Sequence, residues 1–424
     1  LHTNFDLRLI MFSRTTPYDN YISPSNNLIR DCCEKFGLKS YSPSLVRDIA
    51  NVASGGEVLP SVEWRDSLNE MHVIKYHENV CEFLRGINFN AVPGDTPLEQ
   101  AVTLLKTLYN SDDIESPVPG LGEDDLILPI FSTATPNSMI DKINDIFEDL
   151  ESMDDVEKEL IHPDGKSMDN ALVEANIASD MVRGRHWWLK ISRNLESLTR
   201  FRLTKSNKVE PDIEGEDIEL RQIRGFEEMA KIPAMEYALP TTYRIFRVAT
   251  RATHVHERVS HQDKKQLIYM MIDCSLSMKH LDRMHKAGGI LMNRLKAVVS
   301  EEAEVHLRFF DYNVYDKRYV AETAEEARQI MKVFAGTYPS GGGTDIAASL
   351  REGIKDVKNL MQQKTMLERP EMVVVTDGDD NVEALNASMF TREKLRLHSF
   401  VVQSDNQLLC QIARQTGGVG VEKL

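Results

Sequence analysis

From residue 266 onward the chain alternates between two hydrophobic periods. "QLIYMMID" (266–273), "EVHLRFFD" (304–311), "EMVVVTDG" (371–378) and "RLHSFVVQ" (396–403) are short, nearly continuous apolar runs, and "VGVEKL" at the end of the sequence reads as a further one. Between them, "LDRMHKAGGILMNRLKAVVSEEA" (281–303), "TAEEARQIMKVF" (323–334), "DIAASLREGIKDVKNLMQQ" (345–363) and "DNQLLCQIARQT" (405–416) repeat their apolar residues at helical spacing. Strand and helix in turn predict an α/β domain: a doubly wound, mostly parallel, Rossmann-like sheet with helices on both faces. In such sheets ligands bind beyond the carboxyl ends of the strands, where the strand order reverses. Asp273 and Asp377 both fall at predicted carboxyl ends.

Upstream the pattern is mostly helical. "SPSLVRDIANVAS" opens on a serine cap, and "PLEQAVTLLKTLYN" (97–110) opens on a proline suited to a first helical position. The acidic, Pro- and Gly-containing "SDDIESPVPGLGEDDL" (111–126) reads as a linker. In 138–161, Ile140, Ile143, Ile146, Phe147 and Leu150 form an apolar stripe. The acids opposite them fit a solvated face, with docking of a basic partner as the sharper alternative. Trp64, Trp187 and Trp188 read as packing residues. In 219–262, Pro233 and Pro240 break the chain around "YRIFRVATR", which is helical or extended. The resulting division is 1–110 as a mixed, mostly helical region, 111–126 as linker, 127–262 as a helical lead-in and 263–424 as the α/β domain.

Composition narrows the function. The chain has 424 residues, 42% hydrophobic and 27% charged, which fits a soluble multidomain protein. A formal charge of -16 argues against nucleic acid as a partner, because phosphate contacts need clustered Lys and Arg. No stretch approaches the roughly 20 apolar residues of a membrane span. The start "LHTNFDLRLIMFS" lacks the basic and long apolar regions of a secretory signal. Five cysteines without metal-ligand spacing suit a reducing cytoplasm.

The candidate chemistry sits at the predicted strand ends. "DCSLS" offers Asp273, Ser275 and Ser277; "SGGGTDI" offers Thr344 after Gly341, Gly342 and Gly343; "VVVTDG" offers Asp377. Alone, the first could simply cap the following helix. Together they form an oxygen donor set of the kind Mg²⁺ takes, with Mn²⁺ as an alternative. The glycines are expected to turn the backbone and bring Thr344 near. Two carboxylates and neutral hydroxyls would leave a divalent ion open to an outside carboxylate. No general base or nucleophile is evident beside them, so recognition is expected rather than catalysis. Asp345 reads as the cap of its own helix, and Asp379 and Asp380 as a solvated loop. His254, His256 and His261 lack a carboxylate or cysteine to complete a metal set and read as exposed strand or loop residues. No Walker-type loop with its lysine follows a strand, which speaks against a nucleotide site.

Asp273-x-Ser275-x-Ser277, Thr344 and Asp377-Gly378, in this order and strand context, resemble the metal-ion-dependent adhesion site of the von Willebrand factor A (vWA) domain, over about 266–424. The resemblance implies that the two serines and Thr344 are direct or switchable ligands. It implies that the two aspartates act directly or through water, and that a partner's Asp or Glu completes the shell. Bacterial members commonly carry glycine where this chain has Leu276, which bears on metal affinity. The C-terminal placement and the "YRIFRVATRATHVHERV" lead-in are similar to bacterial A-domain proteins that work with MoxR-type AAA+ ATPases, the CoxE-like and ViaA-like groups, and to the cobaltochelatase T subunit. That likeness implies a non-enzymatic adaptor coupling an AAA+ ATPase to a client protein. The alternative is the A-domain subunit of a chelatase-like complex that inserts metal into a tetrapyrrole.

Overall fold

A computed structural model of the chain describes residues 24–56, 58, 70–110, 118–119, 126–127, 137–163, 170–198, 206–211, 217–280, 282–339, 342–364, 367–378 and 380–424. Trp64 and most of the expected linker 111–126 lie outside the described residues. By packing, the chain divides into two units. The first takes 1–197, 277–296 and 325–339; the second takes 198–276, 297–324 and 340–424.

The first unit is built from helices α1 (Asn26–Lys35), α2 (Pro43–Ala53), α3 (Glu70–Gly86), α4 (Pro97–Tyr109), α5 (Asn137–Glu151), α6 (Asp155–Ile161), α7 (Asn170–Asp180) and α8 (His186–Glu196). The caps are those the sequence advertises: Ser42 accepts from Leu45 N–H, and Thr96 accepts from Glu99 N–H, each ahead of a proline. The stripe Ile140, Ile143, Ile146, Phe147 and Leu150 is buried throughout. Trp188 is buried and meets Phe334 edge-on at 5.9 Å, while Trp187 is half-buried, so the tryptophan pair straddles a core edge.

One buried charge cluster fixes this unit. Glu157 accepts from Arg193 Nη2 at 2.8 Å and from Lys296 Nζ at 2.7 Å, and caps α6 together with Asp154. Burial pushes the Glu157 carboxyl upward, but the Arg193 and Lys296 hydrogen bonds together hold it below the usual glutamate range. A carboxyl depressed in the folded state contributes stability above its unfolded pKa of about 4.3 and loses it as pH falls through the folded value. Glu157→Gln should therefore cost about 2 kcal/mol at neutral pH by leaving two cations under-compensated. Urea titrations of both proteins should converge as the pH is lowered below 4; equal stability at pH 7 would contradict this account.

The second unit contains the sheet. Strands β1 (Val118–Pro119) and β2 (Leu126–Ile127) form a separate two-residue ladder upstream. The sheet itself uses β3 (Ser206–Pro211), β4 (Asp217–Gln222), β5 (His254–Asp273), β6 (Ala303–Phe310), β7 (Tyr319–Ala321), β8 (Leu367–Thr376), β9 (Arg396–Val401) and β10 (Gly420–Val421). Its order is β10-β9-β8-β5-β6-β7, parallel except for β7. The central strands are buried on both faces, which is why they read as continuous apolar runs. One face packs Leu267, Tyr269, Met271, Met372 and Val374 against α12 (Ile346–Gln363), α13 (Ala387–Arg392) and α14 (Gln407–Gln415).

Two features went beyond the sequence pattern. The short antiparallel β7 has too few residues for a period to register. Strand β5 begins twelve residues before the apolar run, and its polar first half pairs antiparallel with β3 and then β4, which continue one another along it. "YRIFRVATR" is helical up to Ala249, the end of α9 (Thr241–Ala249). The expected helices at 281–303 and 323–334 are α10 (Arg283–Val299) and α11 (Ala324–Ala335). No helix among the described residues is long and apolar enough to cross a membrane. None of the five cysteines is in a disulfide.

Candidate metal centre

The chain runs from β5 to β6 and β7 on one side, then crosses back to place β8 on the other side of β5. The order therefore reverses between β5 and β8, and a crevice at their carboxyl ends is the expected ligand position. Asp273 is the last residue of β5, Thr376 ends β8 beside it, and Asp377 follows directly after the strand.

Asp273 is fully buried. Its Oδ1 accepts from Ser275 N–H at 2.9 Å, and its Oδ2 accepts from the Thr376 hydroxyl at 2.7 Å. The Thr376 oxygen in turn accepts from Gly378 N–H at 3.1 Å. These bonds weld the two strand ends together. They are neutral-donor bonds, and no cation among the described residues pairs with Asp273. Burial pushes its carboxyl up to about 6, against the pull of the Ser275 and Thr376 bonds, and the Asp377 charge adds to the rise. Asp377 is itself only 2% exposed, and Ser275 likewise.

Of the expected residues, the structure brings Asp273, Ser275 and Asp377 together. Thr344 is half-buried in the segment leading into α12. That segment is held by Asp345 N–H to Asp311 O (3.1 Å), from the end of β6, and by Ile346 N–H to Asp380 Oδ2 (2.7 Å), from the loop after β8. Ser277 lies in the short 3-10 turn Leu276–Lys279 and packs with the first unit, where its carbonyl accepts from Arg283.

Asp345 caps α12 through Ala348 N–H at 2.7 Å, as expected. Asp380 departs from expectation: it is a second anchor on the same helix start rather than a solvated loop residue. Asp379 lies outside the described residues. Gly342 and Gly343 have open space around a would-be β-carbon and no left-handed φ, so the backbone there does not require glycine; Gly341 lies outside the described residues. The glycine the site does require is Gly378, at φ +80 and with Val401 Cγ1 2.5 Å from the place of a β-carbon. Leu276 is 55% exposed, and its φ is not left-handed, so a side chain is accommodated there.

Thr376, Asp311 and Asn406 were not singled out from sequence. Asn406 donates to Gly378 O (3.1 Å) and Asp380 O (3.2 Å) while capping α14, and so clamps the loop that carries Asp377. Thr376 and Asp311 could have been found by the rule that picked Asp273, since both stand at the ends of apolar runs. His254 and His256 are exposed, on the β4-paired half of β5; the His261 side chain lies outside the described residues.

The side chains gathered here, Asp273, Ser275 and Thr376 with Asp377 beside them, offer oxygen donors only. Among the described residues no group of three His, Cys, Asp or Glu is placed to hold a metal. A cation here would rest on Asp273 and Asp377 with hydroxyls, the combination that oxygen-preferring Mg²⁺ accepts while keeping waters.

Fold and site define an α/β protein whose parallel sheet presents buried carboxylates and hydroxyls at its switch point. No protein-family model and no curated protein matches the chain. Solved structures it is similar to include the conserved hypothetical protein BatB of Bacteroides thetaiotaomicron, at 17% identity and a TM-score of 0.30, covering 38% of this chain and 91% of that one. Another is an aerotolerance-related membrane protein of Bacteroides fragilis, studied with multiple mutations to serines, at 15% identity and 0.28, covering 37% and 90%. Likeness at that level establishes no family.

Proposed function

We propose that 263–424 is a vWA-type domain whose strand-end site holds Mg²⁺, or Mn²⁺, and binds a carboxylate presented by a partner protein. The observation that carries the reading is the fully buried Asp273 at the switch point, held by neutral donors beside the buried Asp377. A buried carboxylate held by neutral donors, as Asp273 is, is costly unless a positive charge balances it. Asp273 keeps lone pairs beyond those used by Ser275 and Thr376, which suits a role through water. Asp377, Ser275 and Thr344 would supply the remaining oxygens. A bound divalent ion would supply an electrophilic position for an incoming Asp or Glu. This makes the protein a non-enzymatic adaptor, and by resemblance its partners would be a MoxR-type AAA+ ATPase and a client, in the cytoplasm.

The test is a pull-down with the full chain as bait, with Mg²⁺ and with EDTA. A partner retained equally in both, or retained by Asp273→Ala, would sink the reading. Leu276 adds a prediction. At 55% exposure, Leu276→Ala should change stability by less than about 0.5 kcal/mol. It should leave Mg²⁺ affinity within about twofold but weaken partner retention, because it removes apolar surface from the rim. Calorimetric Mg²⁺ titration and the same pull-down separate the two effects.

A further inference from the structure

The lobe before the sheet buries little and exposes much. Its core is Ile223, Ile232, Val248 and Val255, with Met229 packed against them. Over the same stretch Phe226, Met235, Tyr237, Tyr243, Ile245 and Phe246 are exposed, by 47% to 79%. These are six of the fourteen exposed large hydrophobic side chains among the described residues, concentrated in 21 positions, which is the signature of an interaction surface rather than scattered exposure. The elements that carry them are tied together: the Tyr237 hydroxyl donates to Met229 O at 3.1 Å, and the Arg244 guanidinium lies over the Tyr237 ring at 5.0 Å. The surface is held in place by the fork of Arg221, which clamps Glu228 and Glu257.

Its charge is opposite to that of the chain. Residues 221–251 hold six Arg or Lys against three Glu, and 239–256 hold Arg244, Arg247 and Arg251 with no acid, in a chain of net charge -16. Arg224, Lys231 and Arg251 are exposed around the apolar residues. We propose that this surface, made by α9 and the turns Phe226–Lys231 and Ala234–Ala238, docks an acidic, amphipathic segment of a partner protein, independently of the metal site. Apolar side chains of the segment would cover Tyr243, Ile245 and Phe246, and its acids would meet the arginines. An anionic bilayer fits less well. Interfacial helices are rich in Lys and Arg across the polar face, whereas Glu227, Glu228 and Glu236 stand among the residues around α9.

The experiment uses the full chain and a fluorescein-labelled synthetic helix with a leucine face and a glutamate face, followed by anisotropy in EDTA. Saturable binding is expected. It should weaken about tenfold in Tyr243→Ser/Phe246→Ser and several-fold in Arg251→Glu, and fall with added salt. A twin peptide with lysine for glutamate should not bind. Unchanged binding in both variants, or equal binding of the lysine twin, overturns the proposal. So does preferential binding to phosphatidylcholine–phosphatidylserine vesicles, or a dimer in light scattering that Phe246→Ser dissociates. Because EDTA is present throughout, the outcome does not depend on the metal site.

Discussion

Asp273→Asn is expected to lower Mg²⁺ affinity by about 10- to 100-fold while leaving the metal-free protein at least as stable as the wild type. Asparagine keeps the shape of aspartate, so its carbonyl can still accept from Ser275 N–H and its amide can still face the Thr376 oxygen. What disappears is one negative charge at a fully buried position beside Asp377. Without metal that loss relieves a desolvation cost; with metal it removes the charge the cation needs. The two proteins should separate in a thermal melt. A ligand at 100 times its dissociation constant stabilises by about 2.7 kcal/mol, and at 1 to 10 times by about 0.4–1.4 kcal/mol, so the same Mg²⁺ concentration should raise the wild-type melting temperature clearly more than that of Asp273→Asn. A variant that is less stable without metal, and still responds to Mg²⁺ as the wild type does, would make Asp273 a structural hinge between strands rather than part of a cation site.

How much of this was legible in the sequence differs by element. The strands β5, β6, β8 and β9 were, because parallel strands buried on both faces are apolar at most positions and read as near-continuous runs. The polar half of β5 was not, because an antiparallel pairing with β3 and β4 leaves one side in water and admits His254 and His256. Asp273 and Asp377 were legible as oxygen-bearing residues at the ends of apolar runs. The hydrogen bonds that orient them were not, because Thr376, Asp380 and Asn406 act across elements far apart in the chain. The three glycines before Thr344 drew attention by composition. Glycine is required instead at Gly378, where φ and crowding, neither written in the sequence, demand it.

Gly378→Ala should therefore be the most damaging small substitution near the site, costing about 3 kcal/mol. A left-handed φ costs a β-carbon about 1–2 kcal/mol, and overpacking a buried position adds a similar amount. Here the new carbon would stand 2.5 Å from Val401 Cγ1 and 3.4 Å from Asn406 Cβ. Val401 is a buried strand residue and β-branched, so its rotamer cannot yield freely. The loop must move instead, and it carries Asp377 on one side and the Asn406 contacts on the other. Loss of stability should thus be accompanied by weaker Mg²⁺ binding, although residue 378 offers no ligand. A double-mutant cycle with Val401→Ala separates the causes. Shortening Val401 relieves the collision but not the φ strain, so the pair should show a favourable coupling of about 1 kcal/mol in urea unfolding, with partial recovery of Mg²⁺ affinity. A penalty below about 0.5 kcal/mol for Gly378→Ala, or no coupling to Val401, would mean that the loop after β8 is free to relax and that its geometry does not set the position of Asp377.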